Sequence, residues 1–328
     1  MKPPAPRDSG PYGGSGAGCD GNEPPRESPL NVGFEYRDRI GAHAAGLSVA
    51  RYLSGRYLHS TPELWNERIA SGQVLLDGAP TLPETLLRAG QILIWRRPPW
   101  REPEAPLSYA VLFRDLHLLA VLKPSGLPTV PGGGFLEHTL LHQVRRRHPE
   151  ASPLHRLGRA TTGVVLFART EEAARVLSGA WRRGHVRKVY RALVGGHPRE
   201  DRFTVEVPIG RVPHRLLGSI HAACAGGKPS ISRVTVLERR EKTSLVEVEI
   251  TTGRPHQIRI HLAAAGLPLA GDPLYGPGGL PREETGALPG DPGYLLHARL
   301  IGFRHPVSGD PLEIEAPPPP LLRDSGGF

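Results

Sequence analysis

LHRLGRATTG, residues 154–163, runs directly into Val164, Val165, Leu166 and Phe167 and then into Ala168 and Arg169. A basic, polar turn ahead of so apolar a run predicts a loop at the end of a buried strand. Loops held by rigid elements are where side chains that do chemistry collect. His155, Arg156 and Arg159 bring basic groups to this turn, and Thr161 and Thr162 bring hydroxyls. Gly158 sits among them with no side chain, so the turn is equipped for an anion that it does not itself supply.

The elements on either side extend the pattern. Thr170 is placed to cap a helix with Glu171 and Glu172 in its first turn and Arg182 and Arg183 in its last, before Gly184; this charge order suits the helix dipole. Period-two and apolar runs predict strands over 186–194, 202–207, 230–238, 244–251 and 295–303, and over 109–113 and 118–122 upstream. Phe135–His148 has helical spacing, and Pro255 to Gly266 reads as a short helix with Pro255 at its first position. A Gly/Pro-rich loop fills 277–293. Strands dominate 108–317, which is therefore expected to be an α+β domain with a mixed, mainly antiparallel sheet.

Further out the composition changes. Four prolines in 97–106 mark 98–107 as a linker. Residues 35–97 carry two helical patterns, one from Leu47 and one opened by Thr61-Pro62-Glu63, and two short extended runs around Asp77-Gly78; a small α+β unit is expected there. Residues 1–34 are rich in Gly and Pro without apolar periodicity and read as a disordered tail, and 318–328 read as a second tail.

Among the 328 residues, 41 Lys and Arg against 32 Asp and Glu leave a net charge of +9, which favours phosphate-rich partners. Only five of those cations are lysine, a bias that a GC-rich genome also produces. Cys19 and Cys224 cannot build a disulfide framework, and no apolar run suits a signal peptide or a membrane span. A cytoplasmic protein that does not enter membranes is the expectation. His138 and His142 have the i, i+4 spacing of a metal pair but lack a third ligand, so no metal is expected. No phosphate-cradling loop, dinucleotide fingerprint or serine-nucleophile elbow is present. Arg254, at a strand-to-helix junction in TTGRPHQIR (251–259), suits either a carboxylate or a phosphate, and equally a structural ion pair; Tyr190 suits base stacking or ordinary packing.

Five blocks in order, 111–132, 155–170, 187–196, 251–276 and 295–317, resemble the RluA-type RNA pseudouridine synthases, and 35–97 resembles the small alpha-L RNA-binding module of ribosomal-protein type that often precedes them. The resemblance implies isomerisation of uridine to pseudouridine in RNA, ribosomal or transfer, without cofactor or metal, by flipping the base and by cleaving and re-forming its bond to ribose. It implies a monomer, with His155, Arg156, Arg159, Lys188 and Arg259 on the RNA. Tyr190 would lie against the flipped uracil, Ile258 and Leu262 would floor the pocket, and Arg254 would pair with the catalytic aspartate. That aspartate's position is Gly158. Two expectations follow: an active synthase that draws on another carboxylate, with Asp272 and Asp115 as candidates, or an RNA-binding pseudoenzyme.

Overall fold

Val164 to Ala168 are all at most 1% exposed, as befits a strand covered on both faces. In the computed structural model, which describes residues 29–57, 59–282 and 286–325, they form the strand Thr162–Ala168 of a ten-stranded sheet. Eight strands run across the sheet in the order Arg202–Val205, Ser232–Arg239, Thr243–Ile250, Arg187–Gly195, Leu296–Arg304, Thr162–Ala168, Leu118–Lys123 and Ala110–Arg114; Pro311–Glu315 and Ser152–Pro153 pair alongside. All these pairings are antiparallel except that of Leu296–Arg304 with Thr162–Ala168. The expected mixed, mainly antiparallel α+β sheet is what forms.

Helices cover both faces. Glu171–Arg182, capped by the Thr170 hydroxyl accepting from the Ala173 amide, packs Ala173 and Leu177 on Val164, Leu166 and Ile301. Leu140–Arg145 packs Leu140 and Val144 on Val121, Val165 and Phe167. Gln257–Ala264 packs Ile258 and Leu262 on Ala192, Val246 and Val248. A hairpin of Ile209–His214 with Gly218–Ala223, not foreseen from the sequence, buries Ile209 and Ile220 against Ile260 and Tyr275.

Two helix boundaries differ from expectation. The 135–148 helix shrinks to Leu140–Arg145 because Thr139 caps it, while the Leu136 and Glu137 amides donate to the Glu102 carboxylate. The later helix begins at Gln257, not Pro255. Gln257 Oε1 accepts from the Thr252 hydroxyl and the Arg254 amide, which closes the turn ahead of it and leaves His256 in a left-handed conformation, φ +56°.

The chain divides into two compact units, 1–103 with 132–137, and 104–131 with 138–328. In the smaller, the sheet order is Phe34–Arg39, Ile92–Arg97, Val74–Leu76, Ala79–Pro80, with helices Val49–Arg56 and Pro62–Ala70 around Trp65 and Trp95. Three boundaries are corrected. The linker expected over 98–107 is ordered in its first half: the Trp100 amide donates to Asn31 Oδ1, Asn31 Nδ2 donates to Glu102, and Glu102 is buried. Of the leading tail, 1–28 lies outside the described residues, whereas Asn31 is buried. The trailing segment is docked as far as Ser325, with Leu322 buried and Asp324 ion-paired to Arg191 at 2.9 Å.

Candidate active site

The 155–161 loop is held from beneath by one lysine. Lys123, fully buried at the end of its strand, donates from Nζ to the carbonyls of Pro124 (2.8 Å), Leu127 (2.7 Å) and Arg159 (3.0 Å). Burial, and then the Arg159 charge, push its pKa down to about 7, while three acceptors match the three hydrogens of the ammonium form. Thr129 Oγ1 accepts from the Leu157 amide and donates to the Leu157 carbonyl, and Ser125 Oγ donates to Ala160 O. The loop therefore meets the strand as a fixed platform with Gly158 exposed at its crest.

Beside Gly158 lies a cluster of apolar and aromatic groups. Ile258 and Leu262, one turn apart on their helix, share a cluster with Ala160, Tyr294 and Leu296, and Tyr190 packs against it. Tyr190 stands between Val248 and Ala298 in the sheet, and burial raises its hydroxyl to about 12. A Cβ at position 158 would point at the Tyr294 hydroxyl, 3.0 Å away, and at Thr161 Oγ1, 3.4 Å away. Those two hydroxyls are themselves 3.4 Å apart.

The guanidinium stacked on this cluster is that of Arg259. Its Cζ lies 4.1 Å from the centre of the Tyr294 ring and 4.9 Å from that of Tyr275. Nε and Nη2 each donate to Asp272 at 2.7 Å, and Nη1 donates to Pro289 O at 2.9 Å. Arg259 was expected on RNA phosphate; at 2% exposed and ion-paired, it is instead an internal strut. Arg254, expected to pair with a carboxylate, reaches the Pro229 carbonyl at 3.4 Å from Nε and Nη2, and no ion pair forms at it among the described residues.

Neither carboxylate weighed as a substitute is placed to act. Asp272 Oδ1 accepts from Arg259 and from the Leu274 and Tyr275 amides, and Oδ2 accepts from Arg259. Burial alone would raise its pKa, but those donors outweigh it and hold the carboxyl below its ordinary value. Asp115 caps the other end of the strand whose far residue, Lys123, lies under the loop; its oxygens accept from the His117 and Leu118 amides and contact His305. That strand spans roughly 17 Å at about 3.3 Å per residue.

His155 is half-buried and engaged: its Nε2 accepts from the Leu166 amide, its ring stacks on Trp181 at 5.2 Å, and desolvation lowers it to about 4. Lys188 is buried and donates to Thr252 O at 3.3 Å, with burial lowering its pKa. Arg156 is exposed on the loop, and Arg159 donates from Nε to Gly290 O at 2.9 Å. At the helix start, Tyr275 gives its one hydroxyl hydrogen to His221 O, so His256 Nδ1 donates to Tyr275 Oη at 2.7 Å; burial lowers His256 to about 3. No group of three or more potential metal ligands occurs among the described residues, and none of their helices is long and apolar enough to cross a membrane.

Sequence reasoning missed Lys123, Tyr275 and Tyr294 as parts of this site. Lys123 stands in a quoted block but signals nothing about its burial. Tyr294 follows a Gly/Pro-rich segment that has no period to read.

A loop carrying Arg156 and Arg159 thus meets an aromatic, apolar cluster at the end of a buried strand. The model of the family described as RNA pseudouridylate synthase matches residues 117–264. An uncharacterized RNA pseudouridine synthase of Synechocystis sp. is 46% identical, covering 83% of this chain and 94% of that one. RNA pseudouridine synthase 5 of Arabidopsis thaliana is 39% identical, covering 90% and 95%. The solved structure of human RNA pseudouridylate synthase domain containing 1 aligns with a TM-score of 0.52 and 28% identity, covering 68% and 89%. The chain belongs to the RNA pseudouridine synthase family.

Proposed function

We propose that this chain isomerises uridine to pseudouridine in structured RNA, acting as a cytoplasmic monomer. One observation carries the reading: Tyr190, Ile258 and Leu262 converge in one apolar cluster with Tyr294, whose hydroxyl lies 3.0 Å from where a Cβ at exposed Gly158 would stand, so apolar and aromatic groups meet the basic loop where a flipped base would be received. Exposed Arg156 supplies charge at its rim. Ribosomal RNA is the first substrate to try, because a relative 34% identical is a ribosomal large subunit pseudouridine synthase D of Neisseria meningitidis. Uridine and pseudouridine have the same atoms, so the reaction needs no oxidant, reductant or co-substrate.

The second reading, a pseudoenzyme that binds RNA without modifying it, is favoured by Gly158 and by the complete engagement of Asp272. Transcripts of ribosomal and transfer RNA carrying tritium at uridine C5 separate the two. Release of tritium to water by the full chain is expected from a synthase. Salt-sensitive binding with no release from any transcript would establish the pseudoenzyme.

A further inference from the structure

The ground left empty by Gly158 is not vacant of chemistry. Tyr294 Oη lies 3.0 Å from the point where a Cβ at 158 would stand, so an aspartate side chain there would extend over the place this hydroxyl occupies. The phenol is buried at 4% exposed, and the residue nearest its oxygen on the loop, Gly158, is exposed. Thr161 Oγ1 holds that oxygen at 3.4 Å, and the Arg259 guanidinium covers the ring face at 4.1 Å, fixed there by Asp272. The ring itself belongs to the cluster of Ile258, Leu262 and Leu296 against which Tyr190 packs.

We infer that Tyr294 is the proton-abstracting catalytic residue of this chain, its hydroxyl serving where the family pattern has the aspartate carboxylate at position 158. The inference rests on the synthase reading above. Tyrosine is an established general acid and base, and the Arg259 guanidinium lies over its ring at 4.1 Å. Oη takes the C2′ proton of the flipped nucleotide as it hands its own proton to solvent at the exposed loop. The C–H pair becomes the C1′–C2′ double bond, the C1′–N1 bond breaks, and its electron pair leaves on uracil N1. After the base turns, the same hydroxyl returns the proton to C2′ while C5 bonds to C1′. The C5 hydrogen is then lost as a proton and N1 gains one, so atoms and electrons balance.

The arrangement also explains the glycine. A side chain at 158 would crowd Oη at 3.0 Å, so Gly158 and Tyr294 form a matched exchange for one carboxylate. Asp291 is the rival acid nearby in sequence, but its Oδ2 accepts from the Leu288 amide at 2.7 Å and its Oδ1 lies 4.0 Å from Arg159.

The test uses the full chain and the tritium-labelled ribosomal and transfer RNA transcripts. Tyr294→Phe is expected to lose at least about 100-fold in release rate, the usual scale for a general base, with RNA affinity kept within about threefold. Gly158→Asp combined with Tyr294→Phe is expected to recover at least about tenfold over Tyr294→Phe, and its rate to follow a carboxylate limb at acid pH that the natural chain lacks. A fluorinated tyrosine at 294, nearly isosteric and more acidic, guards against a folding artefact: the natural enzyme's pH profile is expected to shift toward acid. Release by Tyr294→Phe within about threefold of the natural chain, loss on Asp291→Asn alone, or an unshifted profile with fluorotyrosine would each overturn the assignment while leaving the synthase reading intact. Absence of release from the natural chain on every transcript overturns both.

Discussion

Gly163→Ala is expected to unseat the strand that carries the site. Gly163 has φ +115° and lies opposite Ala298 in the parallel pairing of the large sheet. A Cβ there would stand inside the contact shell of the Ala298 carbonyl oxygen and 2.6 Å from the Ala298 nitrogen. Both obstacles are backbone, so no rotamer relieves them. The positive φ costs a non-glycine residue about 1–2 kcal/mol. Separating two paired strands to admit a methyl adds about 1–3 kcal/mol on the scale of core overpacking. The reduced freedom of the unfolded chain returns about 0.4–1 kcal/mol. The balance is a loss of about 1–5 kcal/mol, or roughly 2–20 °C in the midpoint of the large unit at about 2–4 °C per kcal/mol. Circular dichroism melts of the full chain measure it. A midpoint within about 2 °C of the natural protein would refute the argument that this crossing is sterically closed.

Four more outcomes follow from the buried charges. Asp272→Asn is expected to cost about 3–5 kcal/mol in denaturant titrations, because it leaves the Arg259 guanidinium buried without its counter-charge. In the natural chain Asp272 is held below its ordinary pKa of 3.8, so its stabilisation is present above that pH and is lost as pH falls through the folded value; an acid titration in which Asp272→Asn and the natural chain lose stability in parallel would contradict this. Lys123→Met is expected to cost about 2–5 kcal/mol through three carbonyls left without a donor. Lys123 titrates at about 7 when folded and near 10.5 when unfolded, so between those values the unfolded chain binds more protons and the natural protein gains stability as pH rises; the deficit of Lys123→Met is therefore expected to widen above pH 7, and a pH-independent deficit would count against it.

Much of the architecture was legible because its signals are local. The cap at Thr170, the charge order of its helix and the apolar run after the loop are each set within about a dozen residues, and the helix Glu171–Arg182 and strand Thr162–Ala168 appear as the pattern predicts. What the pattern could not convey was which polar groups go inside. His155, Lys188 and Arg259 look in sequence like three more cations on a basic surface. Their inward engagement depends on Leu166, Thr252 and Asp272, between 11 and 64 residues away along the chain. The division of labour between Arg254 and Arg259 likewise turns on Gln257, whose amide closes the turn ahead of the helix and leaves Arg254 to the Pro229 carbonyl.

The six residues Gly132–Glu137 return to the small unit after the large one has begun: Gly134 O accepts from Trp100 Nε1, and the Leu136 and Glu137 amides satisfy Glu102. The order of synthesis follows from this. A ribosome that has delivered residue 103 has delivered Asn31 but not yet the Leu136 and Glu137 amides that complete the shell of the buried Glu102 carboxylate, nor the Gly134 carbonyl that receives the Trp100 indole. The smaller unit therefore finishes folding only after about thirty further residues have emerged, and it waits on the start of the neighbour that follows it.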